Sequence, residues 1–296
     1  MEAPTRRPPF HITSPDEPYP SASSLEQATT VHRQGDFVVS SRKLPISKSG
    51  RIDDMSSRLG IPVPEMIFGE NLVRVAHEPS GWAVEFAAEP ALDLVEKTDR
   101  DMLRVAYAGE WSSSRERTSA GIKEVVKPYD WSYSTTYRGT EVPGQAAAGD
   151  GGKKPLALAP APPSVGIPLE LLKRRDPILF YDEVMLYESE LDDNGISVLS
   201  VKLRVMEKRM LLLCRLYMRL DNVVVRVRDT RVYVDFEKKE VIREYQAKED
   251  TFANVKRNLM MSGLLPDAII VAMRDANQVA PLLPVVQIQV ESVTLA

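Results

Sequence analysis

Apolar and polar residues alternate most regularly between Asp176 and Tyr245, and the rest of the chain is organised around that stretch. Leu199, Val201, Leu203 and Val205 alternate with Ser200, Lys202 and Arg204, the period of two expected of a strand with one buried face. Asn194-Gly195, just before them, accepts the positive φ values of a type I′ turn, so residues 178–190 are expected to fold back on residues 196–206. From Arg209 to Leu220 one face is wholly apolar (Met210, Leu212, Cys214, Leu216, Met218, Leu220). The other runs from Leu211 and Leu213 to Arg215, Tyr217 and Arg219, as in a central strand covered on both sides. Asp221-Asn222 offers a turn, Val223, Val225 and Val227 continue the apolar face, and residues 231–236 and 240–245 read as short strands, giving a meander of six. Asp182-Glu183 breaks the alternation of the first strand, as a bulge or a short helix.

On either side of the meander the signals are shorter. Residues 1–35, rich in Pro, Ser and Thr, have too little apolar surface to offset the entropy of ordering and are expected to be a disordered arm, with Ser14-Pro15 a candidate phosphorylation site. Residues 36–47 have strand content and open the folded domain, and residues 49–59 suit a helix ended by Gly60, Pro62 and Pro64. Residues 71–76 and 82–86 suggest a hairpin around His77–Gly81, and residues 89–97 a helix with Leu92 and Val95 inward. Residues 102–115 fit a strand followed by a helix without deciding between them, and a strand is expected from Trp131 onward. Residues 142–166 read as a flexible low-complexity insertion, residues 168–175 as a helix, residues 250–261 as a helix capped by Asp250 or Thr251, residues 265–276 as a mixed, helical segment, and residues 284–295 as a last strand. The whole predicts an α+β protein: a single domain over residues 36–296, dominated by an antiparallel meander with helices packed on it.

Composition narrows the function by exclusion. A chain of 296 residues can bury a sizeable core unaided, and a net charge of −4 gives no case for nucleic acid or an anionic membrane. Cys214 is the only cysteine, which rules out an intramolecular disulfide and any Cys/His metal set. The lack of a spanning apolar run or a signal-like N-terminus leads us to expect a soluble protein of the cytoplasm and also the nucleus, with no membrane contact.

No catalytic, cofactor or metal motif is present, so no catalytic residue and no cofactor is expected. His77-Glu78 is the only acid–base pair adjacent in sequence, and reads as an exposed turn; Cys214 reads as an inert core thiol. Asp182, Glu183, Glu188, Glu190, Asp192 and Asp193 read as a solvated acidic rim, the alternative being a carboxylate-based hydrolase with two acids across a cleft. Arg204, Arg215, Arg219, Arg226, Arg228 and Arg231 cluster on the strands, either paired internally with nearby acids or, taken together, forming a protein-contact surface.

Four stretches, Pro64–Asn71 (PEMIFGEN), Lys127–Tyr133 (KPYDWSY), Leu199–Met206 (LSVKLRVM) and Asp229–Tyr233 (DTRVY), resemble in order the motifs of the TIP-forty-one-like (TIPRL) family of TOR signalling regulators. The resemblance covers about residues 37–245 and leaves out the arm and the 142–166 insertion. It implies a non-enzymatic regulator that binds the catalytic subunits of type 2A-family phosphatases (2A, 4 and 6), including their C-terminal tail, and acts with a Tap-like phosphatase-associated protein. A scaffold that binds only the Tap-like protein is the alternative. Carried over by motif, the contact residues are Glu70, Ile167, Val227 and Asp229, with Arg231 and Tyr233 added because they share the motif of Asp229. The family pattern has Asp at the place of Glu70 and Met at that of Val227. An edge or open face bearing Asp229, Arg231 and Tyr233 is expected to hold an extended tail by backbone pairing and charged anchors.

Overall fold

The computed structural model describes residues 19–97, 129–145, 155–162 and 164–295, and over them it is an α+β protein of two antiparallel sheets with short helices. The expected arm is ordered in part: residues 22–34 form α1 (Ala22–Gln27) and β1 (Thr29–Gln34). Ser21 caps α1 by accepting from the N–H of Ser24, and β1 pairs along its length with β2 (Phe37–Arg42) across Gly35 at φ 58°. As a polar strand at a sheet edge, β1 buries too little to show in hydropathy. Ser14-Pro15 and residues 102–115 lie outside the described residues.

α2 (Ser49–Leu59) buries Met55 and Leu59, four residues apart, and ends at Gly60 in the left-handed conformation, φ 71°, as its sequence predicts. After β3 (Met66–Ile67) comes the expected hairpin, β4 (Leu72–His77) and β5 (Trp82–Ala87), and then α3 (Ala88–Asp93) with Leu92 and nearby Val95 buried. His77 is not an exposed turn residue. It is fully buried, with its ring 4.9 Å from that of Phe37 and Nδ1 2.8 Å from Ser80 Oγ, and burial holds its pKa below the usual histidine value.

Trp131 does not begin a strand either. Residues 131–139 form a buried strap whose groups bond by side chain, not by ladder: Asp130 accepts from the N–H of Ser132, Thr135 donates to Ala91 O, and Tyr187 donates to Tyr133 O. Tyr133 adopts φ 54°, which no ladder allows. Only β6 (Thr140–Val142) pairs, with β5. The 142–166 insertion is tied at both flanks, by a bridge between Gly144 and Leu156 and by β7 (Ala159–Pro160). α4 (Leu169–Leu172) is shorter than the helix expected there.

The meander holds five strands, not six: β8 (Phe180–Ser189), β9 (Gly195–Val205), β10 (Arg209–Leu220), β11 (Val224–Asp235) and β12 (Glu240–Thr251). β11 runs unbroken through Asp229-Thr230, because each polar side chain there has a tertiary partner: Arg215 and Arg231 for Asp229, Tyr137 O for Thr230. The irregularity of β8 lies between Met185 and Tyr187, whereas Asp182 and Glu183 pair regularly with Leu203 and Lys202. α5 (Phe252–Met261) is capped by Thr251, whose hydroxyl accepts from the N–H of Asn254, and α6 (Pro266–Ala272), α7 (Ala276–Val279), a 3-10 turn and β13 (Val285–Thr294) complete the chain.

The small sheet has the order β1-β2-β4-β5-β6 and the large one β3-β8-β9-β10-β11-β12-β13-β7. Their facing sides share the main core, with Phe37, Val75, Trp82 and Phe86 meeting Val184, Val201, Leu212, Cys214 and Val234. Full burial of side chains of this size stabilises by about 1.5–3 kcal/mol each. Burial also pushes the Cys214 thiol well above its usual pKa, as an inert core thiol requires.

Asp182, expected in an acidic rim, is instead buried where the sheets meet, accepting from Ser41, Lys43 and the N–H of Glu183. Burial alone would raise its pKa, but these donors hold it below the ordinary carboxylate value. Asp182→Ala is expected to destabilise by about 2 kcal/mol at neutral pH, since it strands Ser41 and Lys43. The depressed pKa places this contribution above the ordinary carboxylate range, so chemical denaturation at a series of pH values should show the gap to wild type closing as pH falls through and below that range.

Candidate partner-binding face

The large sheet has a second face, turned away from the small sheet, and on β11 its odd-numbered residues point there. At one end Val225 and Val227 are covered by Val255 and Leu259 of α5, Ile269 and Met273 around α6, and Val279 of α7. At the other end α4 sits over the sheet, its carbonyls at Leu171 and Leu172 accepting from Arg209 (2.7 Å) and Arg204 (3.4 Å). Asp229, Arg231 and Tyr233 lie between these covers.

Strand register fixes their neighbours. Reading from β9 to β13, one row is Ser200, Arg215, Asp229, Gln246, Ile288; the next is Lys202, Leu213, Arg231, Glu244, Val290; the third is Arg204, Leu211, Tyr233, Ile242, Ser292. Arg215 grips Asp229 with both prongs, at 2.7 and 2.8 Å, and its third nitrogen donates to Asn277 of α7 at 2.9 Å. Arg231 donates to Asp229 at 3.2 Å and to Glu244 at 2.6 Å. The Asp229 side chain is 2% exposed, those of Arg215 and Arg231 16% and 28%. Burial by itself would lower the pKa of Arg215, but the hydrogen bonds it donates to Asp229 outweigh it and raise that pKa.

Of the six contact residues carried over by motif, four lie on this face and only one of them reaches solvent appreciably. Arg231 is half-buried; Val227 is fully buried under the helices, and Asp229 and Tyr233 are 1% and 2% exposed. The Tyr233 hydroxyl has no hydrogen-bond partner among the described residues, and burial raises its pKa. Ile167 is half-buried just before α4, on the approach to the same face. Glu70 belongs to another network, at the turn after β3: Arg51 donates to it at 2.7 Å and also pairs with Glu89 at 3.0 Å, and Glu89 in turn pairs with Arg58 at 2.7 Å. No hydrogen bond or ion pair joins the two networks among the described residues.

The arginine cluster is held by internal contacts and is not a free contact surface. Arg219 pairs with Asp221, Arg226 and Arg228 with Glu249, and Arg204 donates to a backbone carbonyl. Nor is β11 an edge; it is central, and backbone pairing to a partner there is excluded. Sequence reasoning also missed Glu244 and Asn277, whose roles depend on register and on helix docking.

Comparison with known proteins finds relatives over most of the chain. Residues 66–256 match the TIP41-like family. The type 2A phosphatase activator TIP41 of Saccharomyces cerevisiae is 38% identical over 272 residues, which cover 86% of this chain and 72% of the relative. The human TIP41-like protein is 40% identical over 222 residues (75% of this chain, 77% of the relative), and the type 2A phosphatase activator tip41 of Schizosaccharomyces pombe 32% over 218 (74% and 81%).

Proposed function

The chain belongs to the TIP41-like family, and from that premise we propose that it binds the catalytic subunits of type 2A-family phosphatases (2A, 4 and 6) and modulates their activity in TOR nutrient signalling. The observation that supports this reading most is that relatives in two yeasts, at 38% and 32% identity over most of the chain, are named type 2A phosphatase activators. The carboxylates of the expected acidic rim are dispersed: Asp182 is held by Lys43 and Ser41 where the sheets meet, while Asp192 and Asp193 stand exposed at a hairpin tip, and in this reading the protein regulates by binding. The protein acts in this reading in the cytoplasm and nucleus, with a Tap-like phosphatase-associated protein as a further partner.

The proposed contact residues divide by exposure. Glu70, Ile167 and Arg231 have side chains that reach the surface, whereas Val227, Asp229 and Tyr233 act from beneath it by holding the face in shape. Calorimetric titration with a purified type 2A catalytic subunit is expected to give a dissociation constant of about micromolar or tighter, weakened when the subunit lacks its C-terminal tail. No heat of binding to either form would overturn the reading and leave the scaffold for a Tap-like protein in its place.

A further inference from the structure

β13 leaves an open strand edge. On its outer side β7 pairs only at Glu291 and Ser292, and Ala161 donates to Val290 O. Among the described residues no strand pairs with that side of residues 285–290. The stretch reads VVQIQV, and Val285, Val286 and Ile288 are 49%, 61% and 56% exposed. Of the usual guards of an exposed edge, these six residues hold no lysine, proline or charge; the one present is the register shift against β12 between Ala247 and Lys248, which leaves Val286 as an extra residue.

The edge is continuous with the face described above. Ile288 shares a row with Gln246 and Asp229, and Val290 with Glu244 and Arg231, so both lie two strand spacings, about 10 Å, from the charged pair. In an antiparallel ladder the N–H and C=O of one residue point to the same side, alternating along the strand. Because Val290 O faces β7, the backbone groups of Ile288 also face outward, free to pair.

We propose that residues 285–290 of β13 receive an extended segment of the phosphatase partner as an added strand, one uncharged over the paired residues and alternately apolar. This rests on the reading of partner given above. The N–H and C=O of Ile288 and the N–H of Val290 face outward and can bond the main chain of an added strand, and the apolar side chains at Ile288 and Val290 select apolar neighbours. A charged segment gains little here: the stretch itself carries no charge, Arg138, which donates to Gln289, is shared with Glu291, and Glu291 is also paired with Arg243.

The test is titration of the purified type 2A catalytic subunit against wild type, Ile288→Lys and Ile288→Pro. Both variants keep the bonds to β12, because the N–H lost in the proline variant points outward, and unchanged melting curves would verify this. The expected result is a dissociation constant raised about tenfold or more in each, with Met261→Lys, a change on the exposed side of α5, left at the wild-type value. Equal binding by wild type and both β13 variants would overturn the edge while leaving the proposed function standing. Absence of binding by wild type would defeat both. Sedimentation of the protein alone, if it showed a dimer abolished by Ile288→Lys, would assign the edge to a second copy and overturn the proposal.

Discussion

Gly195→Ala is expected to lower stability by about 3 kcal/mol or more, well beyond the range of an ordinary surface substitution. A Cβ built at Gly195 would run into the carbonyl oxygen of Arg219 and stand 3.0 Å from its carbonyl carbon and 3.1 Å from the Cα of Leu220, all of them backbone on the neighbouring strand. No rotamer relieves such a contact; β9 and β10 must separate where Gly195 pairs with Leu220. The adjoining bond from the Asp221 N–H to Asn194 O, 2.8 Å, would be lost with it. Urea denaturation of the variant measures the effect, and a loss below about 1 kcal/mol would show that the hairpin relaxes freely.

The same glycine shows how sequence and structure diverged. Asn194-Gly195 has the composition of a two-residue turn, yet the positive φ values fall on Leu191 (52°), Asp192 (53°) and Asp193 (66°), and Gly195 is the first residue of β9. A glycine there answers a close approach of two backbones, which composition cannot distinguish from a demand for positive φ. Elements that declare themselves locally were legible: the period of two in β9 and β10, the glycine ending α2, the threonine capping α5. Elements whose polar groups are satisfied from a distance were not. Asp229-Thr230 resembles a break because its partners are Arg215, fourteen residues earlier, and Tyr137, in the buried strap. The strap itself has the composition of a strand, but its bonds run to Ala91, Glu85 and Tyr187. Of the candidate face, the residues of β11 were legible as a motif, while their burial and their pairing follow from the turn at Asn222, φ 62°, that sets the β10–β11 register.

Asp229→Leu is expected to destabilise by about 3–5 kcal/mol, because it leaves a mostly buried guanidinium without its counter-charge. Arg215 spends both prongs on Asp229 and is 16% exposed, so its remaining tie, to Asn277, cannot replace what is lost. Arg231 keeps Glu244 and suffers less. Melting curves decide between two roles for Asp229. A variant that melts like wild type but loses the phosphatase would make the carboxylate a direct contact; the geometry instead predicts that stability falls, since a side chain 2% exposed and gripped on both oxygens has little left to offer a partner. The double variant Arg215→Met/Asp229→Leu separates the charge from the shape. With both ions gone the buried-charge penalty is gone too, and stability should recover to within about 1–2 kcal/mol of wild type. Partner binding measured on that refolded variant then reports the contact role alone: restored affinity assigns Asp229 to holding the face in shape, and affinity still lost after stability returns assigns the charged pair to the interface itself.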